Sequence, residues 1–199
     1  MIAKAKSVLR RLLNQPPTGM HVGRDVRIDR PNRISSPQCI SVGDRSWIGA
    51  DALITPILEY ADKRYTPSIS IGRDVYVGPK LYLAAISGVV IEDECVLSEQ
   101  VYINDCSHGL RPDAGIIMSQ QLVHGGDVRI GKGCFLGYRV AVLPGVELGP
   151  YCVVGINSVV TRSFPAYSML AGAPARLIKK WSATEQAWLP AAPARIELG

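Results

Sequence analysis

The residues best suited to chemistry sit in one stretch, Asn104-Asp105-Cys106-Ser107-His108-Gly109. The chain has only 3 histidines, His21, His108 and His124. A free imidazole titrates near ~6.5, so it can take and return a proton under physiological conditions. Asp105, three residues before His108, is the candidate to hold the second ring nitrogen and fix the tautomer. Cys106 offers a competing covalent route, since a thiolate is a strong nucleophile. By itself a loop histidine is more often a surface residue than a catalyst. A second group lies toward the C-terminus: Arg162, Arg176, Lys179 and Lys180 flank a Pro- and Gly-rich turn. Four cations gathered there suit a phosphorylated ligand. No Cys-x-x-Cys pair is present and the histidines are widely spaced, so no metal is expected.

These groups are carried by a repeat. Taking every sixth residue from Ile130 gives Ile130, Leu136, Val142, Leu148, Val154 and Val160, all aliphatic. Ile, Leu and Val fill 54 of 199 positions, so chance gives such a run in fewer than about one case in a thousand. The same register runs upstream through Val22, Ile28, Ile34 and Ile40, then Val42, Ile48 and Ile54, then Ile71, Val77 and Leu83, then Ile91, Leu97 and Ile103. A period of six is neither helical nor the simple alternation of a half-buried strand. It means a short strand, a turn, and another short strand facing a new direction.

Three hexads make one triangular coil. Coils stacked about 4.8 Å apart give about six coils and a prism roughly 30 Å long. The first aliphatic of each hexad fills the prism. Glycine follows it at Gly131, Gly137, Gly149 and Gly155, where it is expected to free the chain for the turn. The fifth position also points inward and should stay small, which assigns Cys95, Cys134 and Cys152 to packing. The frame breaks near 41, 55–70, 84–90 and 104–129. A solenoid has flat faces, so chemistry belongs to such interruptions or to contacts between copies.

Composition sets the outer limits. The chain has 199 residues, 47% hydrophobic and 20% charged, which excludes a disordered chain and a coiled coil. No apolar run approaches the ~18 residues that cross a bilayer. A net charge of +5 without a long basic run suits a small anionic ligand and gives no reason to expect nucleic acid. Residues 1–20 read as a short basic helix and linker. Ile2, Ala5, Val8, Leu9, Leu12 and Leu13 share one face, which caps the main body or touches a membrane surface weakly. An odd set of 5 cysteines and the lack of a signal-peptide pattern predict a cytoplasmic protein.

Aliphatic hexads with this glycine, an Asn-Asp-x-x-His-Gly loop after a rung, and Val160-Thr161-Arg162 followed by Ala171-Gly172-Ala173-Pro174-Ala175-Arg176 resemble the hexapeptide-repeat acyltransferases. The sugar O-acetyltransferases of that superfamily are the nearest type. The resemblance spans about 20–180. It implies an all-β fold, a left-handed parallel β-helix over 21–165 with an extruded loop at 104–127. Residues 166–199 would then form a coenzyme A-binding turn, a short helix and a tail.

The resemblance also implies an acetyl-CoA-dependent transfer to a sugar or glycan acceptor, with His108 as general base and no metal. It carries cofactor binding to Tyr138, Ile156, Thr161, Arg162, Arg176 and Lys179. It puts Lys80, where some relatives have an acceptor-binding Asn, and Asn104 on the acceptor side. Relatives build the site between subunits of a homotrimer, which is therefore expected here. The alternatives are N-acetylation of an amino sugar or antibiotic with the same base, and a non-catalytic scaffold. A γ-type carbonic anhydrase would need three clustered His ligands, which this spacing does not offer.

Overall fold

The computed structural model describes residues 16–30 and 32–191. The N-terminal helix predicted over 1–13 lies outside the described residues, as does the tail from 192. The described chain winds into a three-sided prism. One face carries the strands His21–Val22, Ile40–Val42, Ser68–Ile71, Gly88–Ile91, Val128–Ile130 and Glu147–Leu148. The second begins at Arg27–Ile28 and runs through Phe135–Leu136 and Val153–Val154 to Ser168–Ala171. The third runs from Arg33–Ile34 to Val159–Val160. Strands of consecutive coils pair in parallel.

The hexad register is the pairing register. Val42, Ile71, Ile91, Ile130 and Leu148 are successive partners on the first face. Ile48, Val77, Leu97, Leu136 and Val154 follow on the second. Ile54, Leu83, Ile103, Val142 and Val160 follow on the third. All point inward and are almost fully buried in one core. Cys95, Cys134 and Cys152 occupy the predicted fifth slot, buried, each thiol donating to the carbonyl of a corner residue in the next coil, Gly131, Gly149 and Pro165.

Two expectations are corrected. The second-position glycines do not serve the turn: Gly131 and Gly137 have no positive φ. A Cβ on Gly131 would lie 2.6 Å from Pro150 N, and one on Gly137 2.9 Å from Ile156 N. They are glycines because the next coil's backbone passes over them. The left-handed turn falls two residues later, on side chains such as Asp74, Lys80, Glu94 and Arg139.

The basic C-terminal helix is also absent. Arg176–Ser182 is a strand, antiparallel to Ser168–Ala171 and to Ala187–Pro190. Ser168–Ala171 is the last parallel rung of the second face, and without a partner its free edge would leave N–H and C=O groups unpaired. The hairpin satisfies them, and Trp181 meets Trp188 edge-on across it, ring centroids 5.7 Å apart.

The frame breaks share one place. Chain leaves the frame after Ile34, Ile54, Leu83 and Ile103, always between the third face and the first. The passages from Val142 to Leu148 and from Val160 to Phe164 carry no insertion. The insertions therefore stack on a single edge.

Candidate active site

That edge holds the His108 loop. The segment Glu59–Tyr60 and Lys63–Arg64 forms a small antiparallel hairpin. Two coils further on, Cys106–Ser107 pairs antiparallel with Val123–His124 at the neck of the long loop. Ile86, Cys106 and Leu122 pack between them with Ile57, Tyr60 and Tyr65, a small apolar core outside the prism. The Tyr65 hydroxyl accepts from Leu122 N at 3.0 Å and donates to Leu122 O at 3.3 Å. Gln120 locks the loop from within: its Oε1 accepts from Arg111 N, and its Nε2 donates to Arg111 O and Gly115 O. Gly109 is needed beside it, because a Cβ there would sit 2.8 Å from Gln120 Cβ.

Asp105 does not serve His108, contrary to the sequence expectation. Its carboxylate is fully buried and accepts from Ile86 N at 2.9 Å, Ser87 N at 2.8 Å and Gly88 N at 2.9 Å. The chain bends at Asp105, leaving Asp105 and Cys106 buried and Ser107 and His108 exposed. Asp105 turns inward and His108 outward into solvent. The partner of His108 is Tyr60, whose hydroxyl lies 3.4 Å from Nδ1. Sequence reasoning gave no weight to Tyr60, Tyr65 or Gln120. The only available signal was that breaks 55–70 and 104–129 leave the same corner of the triangle.

Cys106 is buried. Burial, and next the Asp105 charge, push its thiol up to about 12. It is a thiol and not a thiolate near neutrality, a poor start for nucleophilic attack. Asn104 donates from Nδ2 to Cys106 O, and its Oδ1 is buried without a partner. His124 is the second imidazole on this edge. Its Nε2 lies 3.0 Å from Asp127 Oδ1, and ligand atoms of Asp105, His124 and Asp127 fall within 4.8 Å of one another. The oxygens of Asp105 already accept three backbone N–H groups, while His124 and Asp127 bond to each other at the loop's neck.

The other assigned residues lie elsewhere on the prism. Lys80, Tyr138 and Ile156 follow second-face rungs and share the corner between the second and third faces. Lys80 stands there in a left-handed turn. Tyr138 and Ile156 are exposed, Ile156 at 66%. Thr161 and Arg162 come at the end of the last third-face rung, with the Arg162 guanidinium 5.2 Å from the Phe164 ring centre. Arg176 and Lys179 are exposed on the terminal strand. None of these basic side chains forms an ion pair among the described residues. The assigned residues thus lie on two edges, with His108, Thr161 and Arg162 where the third face meets the first, and Lys80, Tyr138, Ile156 and Arg176 where the second meets the third.

Together these features define a β-helix of hexads whose large insertions leave at one corner. A family model described as the hexapeptide repeat of succinyl-transferase matches residues 68–104 and 127–162, stopping on either side of the long loop. WbbJ of Escherichia coli, a putative lipopolysaccharide biosynthesis O-acetyl transferase, is 33% identical over 132 residues, 60% of this chain and 64% of its own. WcaF of Escherichia coli, a putative colanic acid biosynthesis acetyltransferase, is 30% identical over 138 residues, 69% of this chain and 71% of its own. The chain spans 50–64% of the length of three of the curated relatives it matches. Among solved structures, a variant of AntD, an N-acyltransferase from Bacillus cereus in complex with dTDP and coenzyme A, matches with a TM-score of 0.68 at 20% identity, covering 87% of this chain and 88% of that one. The chain belongs to the hexapeptide-repeat acyltransferase family, and its fold is that family's left-handed parallel β-helix.

Proposed function

We propose that the protein transfers an acetyl group from acetyl-CoA to a sugar hydroxyl of a glycan or cell-surface polysaccharide precursor, in the cytoplasm. WbbJ and WcaF, named for lipopolysaccharide and colanic acid biosynthesis, support the acceptor class, and the 5 unpaired cysteines support the compartment. The observation that carries the reading is the presentation of His108: exposed, on a loop braced by Gln120, Tyr65 and the buried Asp105. A sugar hydroxyl does not ionise near neutral pH, so its proton must leave as its oxygen attacks the thioester carbonyl. His108 takes that proton. The tetrahedral intermediate then collapses, the C–S bond breaks, and the imidazolium returns the proton to the coenzyme A sulfur. Cys106, buried and protonated, is not a nucleophile in this scheme.

The acting unit is a homotrimer, with His108 of one copy facing the Lys80, Tyr138 and Ile156 corner of the next. The outward side chains support it. On the second face they run Trp47, Tyr76, Val96, Phe135 and Val153, and on the third Leu53, Tyr82, Tyr102, Ala141 and Val159. On the first they run Ser41, Ser70, Val90, Arg129 and Glu147. Two apolar faces and one polar face suit a closed ring in which each copy presents different surfaces to its two neighbours. Exposed Leu110, Ile116 and Met118 at the loop tip, Ile116 at 73%, extend the apolar surface toward a neighbour.

The test is acetyl-CoA consumption measured across nucleotide-sugars, lipid-linked sugars and free oligosaccharides. His108→Ala should lower kcat by about 10²–10⁴, the range of a lost general base, while coenzyme A still raises the melting temperature. Wild-type turnover in that variant would sink the assignment. A second reading rests on the His124–Asp127 pair, which has the carboxylate partner that His108 lacks. Loss of activity in His124→Ala with full activity in His108→Ala would favour it. Turnover on amino sugars alone would move the acceptor from hydroxyl to amine.

A further inference from the structure

The hydroxyl of Tyr60 stands between two groups. It is 3.2 Å from the backbone oxygen of Met118 and 3.4 Å from His108 Nδ1. Met118 Sδ, a weak acceptor, lies 3.6 Å away. The tyrosine ring meets the imidazole edge-on, with centroids 5.5 Å apart and planes at 63°. A phenol has one proton to give, and a carbonyl can only accept. The proton of Tyr60 therefore goes to Met118 O. What faces the imidazole is a phenol lone pair, and a neutral ring can use it only by carrying its hydrogen on Nδ1. The remaining lone pair of the ring is then on Nε2.

We infer that Tyr60 is the positioning residue for His108: its hydroxyl fixes the Nδ1–H tautomer and the ring plane, leaving Nε2 as the nitrogen that takes the proton. The inference rests on the reading of His108 as general base and adds which nitrogen acts and what holds it. The role expected of Asp105 passes to a residue 48 positions away in sequence. The hairpin 59–64 acquires a purpose, since its tyrosine and Tyr65 both grip the returning arm of the loop, one at Met118 and the other at Leu122. The contact also strengthens as the reaction proceeds. When Nε2 gains its proton the ring becomes an imidazolium, and the Nδ1–H to Tyr60 bond becomes charge-assisted. Stabilisation that grows toward the transition state appears in kcat rather than in KM.

Tyr60→Phe keeps the ring and its packing and removes only the hydroxyl. Two measurements are made together on the full chain. Two-bond ¹H–¹⁵N correlation spectra of ¹⁵N-histidine-labelled protein, in alkaline buffer where the rings are neutral, report the tautomer of His108, whose signal is identified by its loss in His108→Gln. The wild type should show Nδ1–H, and Tyr60→Phe a mixture or the Nε2–H form. Steady-state kinetics should show kcat lowered about tenfold, the effect of one ordinary hydrogen bond, with KM for both substrates within twofold. Tyr65→Phe, which loosens the loop without touching the imidazole, should leave the tautomer unchanged. A wild-type spectrum with the hydrogen on Nε2 overturns the inference without need of any variant. So does a Tyr60→Phe spectrum identical to wild type, whatever its kcat. If the tautomer shifts as expected but His108→Ala keeps full turnover, Tyr60 still positions the ring and it is the general-base reading that fails.

Discussion

Asp105 is where architecture and catalysis predict different outcomes. Its carboxylate is fully buried and accepts three backbone N–H groups, from Ile86, Ser87 and Gly88. Those amides belong to the coil that lies between the two large insertions, so one side chain ties the neck of the His108 loop to the prism. Asp105→Ala leaves three donors facing a small void. Each unmade bond to a buried donor costs about 1–3 kcal/mol, and water entering the void recovers part of that. The expected loss is about 3–6 kcal/mol, a large share of the ~5–15 kcal/mol that holds a typical domain together. Asp105→Asn keeps one acceptor oxygen and should lose about half as much. Urea unfolding followed by circular dichroism, at one fixed protein concentration, gives the difference as a shift in midpoint. Hydrogen exchange should show lost protection at Ile86, Ser87 and Gly88 before it reaches the core rungs. A variant with wild-type midpoint and wild-type protection at 86–88, but no acetyl transfer, would refute this reasoning and return Asp105 to the chemistry.

Three further outcomes follow from the same geometry. With its thiol pushed up to about 12 by burial and the Asp105 charge, Cys106 should resist iodoacetamide at pH 8 in the native protein, and Cys106→Ser should keep kcat within about threefold; mass spectrometry of alkylated peptides checks the first and the acetyl-CoA assay the second. Phe135→Asp on the apolar second face should break the proposed trimer to monomers in light scattering, whereas Ser70→Asp on the polar first face should leave its mass unchanged. Backbone and guanidinium hydrogen bonds from Arg24 hold the Asp44 carboxyl below its ordinary 3.8, and the Arg45 guanidinium does the same for Asp74; their contribution is present above about pH 4 and lost as pH falls through the depressed values, so acid unfolding should be less steep in an Asp44→Asn, Asp74→Asn double variant.

Most of the prism was legible because its constraint is local and periodic. Each coil must deliver an aliphatic inward every six residues, and the register from Val22 to Val160 is the register of the paired strands. The glycines were found for the wrong reason, since backbone contact with the next coil depends on stacking that one hexad does not reveal. The C-terminal error has a similar cause. Arg176-Leu177-Ile178-Lys179-Lys180 has no strong pattern of its own, and the unpaired edge of Ser168–Ala171 decides its conformation. Local composition does not show an edge that the rest of the fold leaves open. For the site, the loop and His108 stood out by residue type, while the partner of His108 did not. Spacing suggested Asp105, but the chain bends there and turns its carboxylate inward while His108 faces out. Tyr60 comes near only because two insertions leave the same corner, two coils apart.

That shared corner explains why one edge can hold long insertions without harming the fold. An insertion between the third face and the first leaves both flanking strands paired to the coils above and below, so the prism bears no cost beyond closing the loop, and that grows slowly with loop length. Stacked insertions then contact one another rather than the rungs. The second core of Ile86, Cys106 and Leu122 with Ile57, Tyr60 and Tyr65 is the product of that stacking. It holds the His108 loop by side chains from three separate insertions, 55–70, 84–90 and 104–129. Substitutions in this small core, Leu122→Ala for instance, should therefore disturb the imidazole's position while leaving the rungs intact. A rung substitution such as Leu136→Ala should instead lower the stability of the prism as a whole. The two kinds of loss separate cleanly only if prism and site are distinct packing units, and that separation is what confining every large insertion to one corner produces.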